Sequence, residues 1–127
     1  MKEGISMKYE YYNPVEEKGS CVQRSLSKIL NKDYEETKKE LIELSISLGY
    51  TDYREIEVFE NYMKQHNILE LTQEFTTIKE LNLEPGKYII FGTKEDWYHM
   101  VCLINNTFYD KNENYKDLNI IKIYKQM

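Results

Sequence analysis

The apolar residues of this 127-residue chain change their spacing once, near the middle of the sequence. Up to about Asn67 they recur every three or four positions, which is typical of helices with one face against a core. From Leu71 onward they alternate with polar residues or form short runs between turn signals, which indicates strands. Helices followed by antiparallel strands predict an α+β fold, with the N-terminal helices packed on the sheet.

Size and composition favour a single domain over residues 1–127, of which 1–6 are predicted to be a loose leader. The net charge of −5 argues against a nucleic acid or an anionic membrane as partner. No apolar run approaches the ~20 residues that span a bilayer, and the first ten residues lack the apolar segment of a signal peptide. The two cysteines indicate free thiols in a reducing compartment. We therefore expect a cytoplasmic protein.

Three helices are predicted in the first half, each opening on a pair of capping residues three positions apart. The pairs are Ser20 with Gln23, Asp33 with Glu36, and Asp52 with Glu55. The first helix runs from about Cys21 to Leu30, Gly49 ends the second, and the third ends near His66. In the first helix, the apolar stripe predicted to face the core consists of Val22, Leu26, Ile29 and Leu30.

Strands are predicted in the second half at 71–75, 87–91, 98–104, 107–110 and 118–124, with an extended segment at 8–12 and one helical turn at 77–81. Asn105 and Asn106 lie between two apolar runs, and asparagine tolerates the positive φ of a two-residue hairpin turn. This turn pairs Ile104 with Thr107 and Leu103 with Phe108.

The hairpin register places His99 and Asp110 on the same face of the sheet as diagonal neighbours, within reach of a hydrogen bond. A shift of one residue would move Asp110 to the other face. Asn112 is an alternative partner for the imidazole only in a register that keeps it beside His99. We favour Asp110, because a charged partner holds an imidazolium more strongly. The same face carries apolar residues that the first helix is expected to cover: Val101, Leu103 and Phe108.

Cys21 lies at the predicted start of the first helix, where unpaired N–H groups and the helix dipole favour a thiolate. If the helix docks as expected, His99 can accept and return the proton while Asp110 orients the ring. The candidates for an oxyanion donor are the backbone N–H of Cys21 and the amides of Asn13 and Gln23. Trp97 either walls a substrate pocket or has only a packing role, in the core or at its rim.

The sequence gives little indication of a metal site, a phosphate site or a second reactive thiol. No residues have the spacing of zinc ligands, and no glycine-rich loop is suited to phosphate. We therefore expect neither a metal nor a cofactor. Cys102 faces away from His99 in the predicted strand and is expected to be a buried core residue.

Two segments resemble small papain-like cysteine peptidase domains of bacteria and their phages. The first is Ser20-Cys21-Val22-Gln23-Arg24-Ser25 followed by Asn31-Lys32-Asp33-Tyr34-Glu35-Glu36, and the second runs from His99-Met100-Val101 through Asn105-Asn106 to Phe108-Tyr109-Asp110. Tyr11-Tyr12-Asn13-Pro14 also fits, so the resemblance covers most of 7–123. It departs from the family at Ser20, where an acidic residue is usual, and at Tyr34, where tryptophan is common.

The resemblance implies a papain-like fold, thiol-dependent acyl transfer and a triad of Cys21, His99 and Asp110. We therefore expect a thiol-dependent hydrolase that cleaves a peptide or isopeptide bond through an acyl-enzyme, with a peptide or protein as substrate. Two alternatives stay open. One is a catalytically inactive protein on the same scaffold that binds a bacterial or phage partner, and the other is an amine acyltransferase. The sequence specifies neither the substrate nor the oligomeric state.

Overall fold

The computed structural model describes residues 7–72 and 77–127, and these form three α-helices and one six-stranded sheet. The helices are α1 (Cys21–Ile29), α2 (Tyr34–Leu48) and α3 (Ile56–Gln65). The strands are β1 (Lys8–Tyr11), β2 (Ile68–Glu70), β3 (Lys87–Lys94), β4 (Trp97–Ile104), β5 (Thr107–Asp110) and β6 (Asn119–Gln126). Short 3₁₀ turns occupy Ile78–Glu80 and Asn114–Asp117. Within the described ranges, no helix has the length and apolar character needed to cross a bilayer.

The sheet has the strand order β1-β5-β4-β3-β6-β2 and is mixed rather than antiparallel. β1 runs parallel to β5, whereas every other pair of neighbours is antiparallel. A parallel pair needs a long crossover, and the chain between β1 and β5 includes all three helices. The α+β class is thus confirmed, and the expectation of a purely antiparallel sheet is wrong.

The β4–β5 hairpin has the register expected from its asparagine pair. Asn105 and Asn106 adopt φ values of 46° and 67°, and Leu103 lies opposite Phe108. Pairing stops at Cys102, although β4 itself extends to Trp97. The part of β4 between Trp97 and Cys102 therefore has one edge that is not paired with β5, and this edge is available to α1.

The sheet separates two apolar clusters, and α1 belongs to the cluster on the face opposite Val101. Val22, Leu26 and Ile29 of α1 pack in one cluster with Met100 and Cys102 of β4. The other cluster contains Val101, Leu103, Phe108, Ile78, Tyr115 and Leu118. The expectation that α1 covers the Val101 face is wrong, because the segments around the two 3₁₀ turns supply that cover.

The ends of the helices match the sequence only in part. Asp33 caps α2 by accepting the Glu36 N–H at 3.0 Å, and Gly49 ends α2 at a φ of 85°, so both predictions are confirmed. α3 instead begins after Glu55, because Asp52 accepts the backbone N–H of Arg54 at 2.9 Å in a local turn.

Two sequence predictions fall on residues outside the described ranges. These are the leader at 1–6 and most of the strand at 71–75. Leu71 and Thr72 are described and have no regular structure, and a strand is found just before them at Ile68–Glu70.

Candidate active site

Cys21 is the first residue of α1, directly after a sharp bend in the chain. Gly19 adopts a φ of +66°, a left-handed conformation that glycine reaches without strain. The first backbone hydrogen bond of the helix runs from the Arg24 N–H to the Ser20 carbonyl at 2.9 Å. The N–H groups of Cys21 and the next two residues precede that bond, so the cysteine lies at the positive end of the helix.

Ser20 does not form the capping box predicted with Gln23. Within the described chain its hydroxyl caps no backbone N–H of α1, and it instead accepts a hydrogen bond from Arg24 Nη1 at 2.5 Å. Arg24 is one turn further along α1, so its guanidinium reaches back over the helix start. The Ser20 hydroxyl therefore makes its hydrogen bond with a buried cation and does not cap the first turn of the helix.

The unpaired edge of β4 anchors α1. The Ser25 hydroxyl donates to the carbonyl of Met100 at 3.1 Å, and the Met100 N–H donates to the sulfur of Cys21. These bonds use the part of β4 that extends past β5. They bring the helix start beside His99, although α1 packs on the opposite face of the sheet.

Cys21, His99 and Asp110 form a continuous chain of contacts. Nε2 of His99 lies 2.6 Å from Oδ2 of Asp110, and the imidazole also makes a hydrogen bond with the Cys21 thiol. Because Nε2 is engaged by the carboxylate, Nδ1 is the nitrogen left for the sulfur. Asp110 is fully buried and His99 is 12% exposed, so the carboxylate is closed to solvent whereas a small part of the ring is not.

The surroundings favour a thiolate–imidazolium pair. Burial by itself raises the pKa of the Cys21 thiol, but the hydrogen bond and charge of His99, the Met100 N–H and the Arg24 charge hold that pKa below its ordinary value. Burial likewise opposes the charge on His99, yet the hydrogen bonds to Asp110 and Cys21 raise the imidazole pKa to about 9. Both shifts favour a negative sulfur beside a protonated ring.

Asp110 has two further donors besides His99. Arg24 Nη2 lies 2.9 Å from Oδ1, and the Lys111 N–H donates to the same oxygen at 2.7 Å. Arg24 had no predicted role in the site. Its position one turn after Cys21 was the available sign that it belongs to the site.

Two cavities open at Cys21, and both are lined by Gly19, Cys21 and Tyr98. The first, which we call the imidazole cavity, has a volume of about 290 Å³. Its remaining lining residues are Ser20, Arg24, Trp97, His99, Lys111, Asn112 and Asn114. The second, which we call the apolar cavity, has a volume of about 440 Å³. Its remaining lining residues are Val22, Asp52, Arg54, Glu55, Ile56, Phe59 and Phe91.

Trp97 and Tyr98 are partly exposed aromatic residues on opposite faces of β4. Trp97 is 43% exposed and meets the His99 ring edge-on, with ring centroids 5.8 Å apart. Tyr98 is 60% exposed and stacks on Phe91 at 5.4 Å, between the two cavities. Trp97 was a candidate for the site from the sequence. Tyr98 was not, because strand alternation places it on the face opposite His99.

The two side-chain candidates for an oxyanion donor are engaged elsewhere. Asn13 Nδ2 donates to Glu16 at 2.8 Å, and Gln23 Nε2 donates to the hydroxyls of Tyr34 and Tyr53 at 3.1 and 3.0 Å. Neither residue lines the cavities at Cys21. Of the three groups considered, the Cys21 N–H is therefore the one at the site.

The remaining residues singled out from sequence have structural positions. Asn112 accepts the Asn114 N–H at 2.9 Å and lines the imidazole cavity, so Asp110 rather than Asn112 is the partner of His99. Cys102 is fully buried in the α1 cluster, as expected, and burial raises the pKa of its thiol. Among residues 7–72 and 77–127, no group of three or more His, Cys, Asp or Glu side chains is placed to hold a metal ion.

Compared with known protein families, curated proteins and solved structures, the chain matches none.

Proposed function

We propose that this protein is a thiol-dependent hydrolase on a papain-like scaffold, and that it cleaves a peptide or isopeptide bond through an acyl-enzyme. The observation that carries the proposal is the chain of contacts from the Cys21 sulfur through His99 to the buried Asp110 carboxylate. A low-pKa thiol, a ring that holds a proton and a carboxylate that orients the ring are the three parts of nucleophilic acyl transfer.

In the first half of the reaction, the Cys21 thiolate attacks the carbonyl carbon of the substrate and forms a C–S bond. The negative charge moves to the carbonyl oxygen, and the Cys21 N–H at the start of α1 can donate to it. The intermediate then breaks its C–N bond, and the proton on His99 goes to the departing nitrogen. The products of this half are a thioester on Cys21 and a free amine.

In the second half, neutral His99 takes a proton from water as the water oxygen attacks the thioester carbon. The C–S bond breaks, the acid product leaves, and the thiolate–imidazolium pair is restored. Asp110 stays bonded to the ring throughout and stabilises its charged form. Every proton in the cycle is exchanged through His99.

Turnover and covalent capture test this proposal together. The protein is mixed with a library of quenched fluorescent peptides and lysine-linked isopeptides, and Cys21 is examined by mass spectrometry for an acyl adduct. Cleavage with an adduct on Cys21 is expected in the parent and in Cys102→Ser, which removes the second, buried thiol. Cys21→Ser is expected to lose at least about 10³-fold of the rate.

The same assay separates the alternatives. Added amines that appear in the product in place of water would identify an acyltransferase. Intact parent protein that neither cleaves nor acylates at any pH between 6 and 9, while still binding a peptide from the library, would contradict the hydrolase proposal and favour the binding protein.

A further inference from the structure

The two cavities at Cys21 differ in their access to His99. His99 lines the imidazole cavity and is not among the residues that line the apolar cavity, whereas the sulfur-bearing residue lines both. In the proposed reaction, the proton on His99 must reach the departing nitrogen. The leaving group therefore occupies the imidazole cavity, and the acyl part of the substrate extends to the other side of Cys21.

The cavity on that other side has an apolar floor. Val22, Phe59 and Phe91 are each less than 5% exposed there, and Ile56 and the stacked ring of Tyr98 form more exposed walls. Its volume of about 440 Å³ lies within the range of about 300–1,000 Å³ found for small-molecule sites.

The charged residues at the apolar cavity lie at its rim and offer little to a charged ligand. Asp52 and Arg54 are both about half exposed and form an ion pair at 3.0 Å. Glu55 is also exposed. A charged side chain that entered the cavity would lose its hydration without gaining an ion-pair partner on the cavity floor.

We infer that the apolar cavity binds a branched aliphatic or aromatic side chain on the acyl side of the scissile bond, while the amine product departs through the imidazole cavity. This inference rests on the proposed function, because the position of the leaving group is set by proton transfer from His99. It names the substrate class as acyl donors with a large apolar side chain near the reacting carbonyl.

Chloromethyl ketones of N-acetylated amino acids test the inference without requiring turnover. These reagents alkylate a reactive thiol irreversibly, so the rate of labelling at Cys21 reports how well each side chain is bound. The glycine, leucine, phenylalanine and aspartate reagents are compared, each rate being divided by its rate with glutathione. Iodoacetamide serves as the reference reagent that makes no side-chain contact.

The leucine and phenylalanine reagents are expected to label Cys21 about 10-fold to 100-fold faster than the glycine reagent, with aspartate well below leucine. Ile56→Ser is expected to reduce the leucine-to-glycine ratio about 5-fold, each rate being taken relative to that of iodoacetamide in the same variant. Its matched control is Ile46→Ser, since Ile46 is an exposed helical isoleucine on α2 and does not line either cavity.

Equal rates for the glycine and leucine reagents, or the same ratio in Ile56→Ser as in the parent, would overturn the inference. The proposed function fails in a different way. If leucine selectivity is present but no acyl substrate is turned over, the preference of the apolar cavity for a large apolar side chain stands, whereas the hydrolase proposal falls together with the acyl-side assignment. If peptides are cleaved but the reagents are not discriminated, only the cavity assignment falls.

Discussion

Arg24 and His99 bind opposite oxygens of the same buried carboxylate, that of Asp110. Arg24 Nη2 lies 2.9 Å from Oδ1 and His99 Nε2 lies 2.6 Å from Oδ2. With the thiol of Cys21 ionised and the ring protonated, the four groups carry two positive and two negative charges. A neutral cluster is far less costly to bury than one with an unpaired charge, so Arg24 helps to stabilise the thiolate.

Replacing Arg24 by glutamine is expected to destabilise the fold and to raise the pKa of the Cys21 thiol. The loss of a partner from a buried ion pair costs about 3–5 kcal/mol in the free energy of unfolding. The Arg24 charge also lowers the thiol pKa, so its removal has the opposite sign. Urea unfolding measures the first effect, and the pH dependence of Cys21 alkylation measures the second.

Two further variants make the Arg24 test specific. Arg24→Lys retains the cation and is expected to keep the alkylation midpoint closer to that of the parent. Lys28→Gln removes a cation one turn further along α1, where Lys28 lies over the rings of Tyr12 and Tyr109. Equal alkylation midpoints in folded Arg24→Gln and in the parent would contradict the electrostatic role.

Alkylation and turnover are expected to diverge at high pH. The thiol pKa is lowered, so alkylation at neutral pH should be faster than that of an ordinary thiol and should fall only below the lowered pKa. Above about pH 9 the imidazolium loses its proton, so turnover should decline because the leaving nitrogen has no acid, whereas alkylation should persist.

The variant His99→Ala checks the cause of this divergence. Without the imidazole the thiol loses the hydrogen bond and charge that lower its pKa, so alkylation at pH 6 is expected to slow by about 10-fold or more. Stopped-flow labelling followed by mass spectrometry of the Cys21 peptide gives the rate. An unchanged rate in His99→Ala would show that the imidazole does not activate the thiol.

Asp110→Asn is expected to lower the His99 pKa from its value of about 9, because the charged acceptor that raises it is removed. Turnover should fall by about 10²-fold to 10⁴-fold, since an amide neither fixes the ring tautomer nor stabilises the imidazolium. The chain has two histidines, so NMR titration of the ring protons is simple to assign with His66→Gln. A His99 titration that does not move in Asp110→Asn would rule out this role for the carboxylate.

The position of Asp110 relative to His99 could be predicted from the sequence, because it depends only on the local geometry of a hairpin. The asparagine pair fixes the turn, the turn fixes the register, and the register places Asp110 diagonal to His99. Alternation along β4 likewise separates Cys102 from His99. None of these inferences requires knowledge of what packs on the sheet.

The docking of α1 could not be predicted in the same way. Both faces of β4 are apolar, so hydrophobicity alone does not say which face receives the helix. The deciding feature is the length difference between β4 and β5, which leaves the Met100 backbone groups to bond with Ser25 and Cys21. The Ser20 hydroxyl was misassigned for a similar reason, because its partner Arg24 is ordered by Asp110 from the far end of the chain.

Gly92 lies directly across from His99 in the β3–β4 pair, where the register between β3 and β6 shifts. A Cβ at this position would lie 2.4 Å from the carbonyl oxygen of Asn119 and 3.3 Å from Cα of Ile120. Because these are backbone atoms of β6, they can move away only by disturbing the sheet. Gly92→Ala is therefore expected to lower the free energy of unfolding by about 1–3 kcal/mol.

The control for Gly92→Ala is Gly86→Ala, just before the same strand. A Cβ at Gly86 would make only ordinary contacts of 3.4–3.7 Å, all with the side chains of Tyr88 and Lys125. This variant is expected to change the free energy of unfolding by less than about 0.5 kcal/mol in urea titrations run beside those of Gly92→Ala. Equal urea midpoints for the two variants would mean that β6 does not approach Gly92 as closely as described.

Cys21 alkylation in the folded Gly92→Ala protein reports whether the strain reaches His99. A displaced ring would slow labelling at pH 6 and leave labelling at pH 10 unchanged.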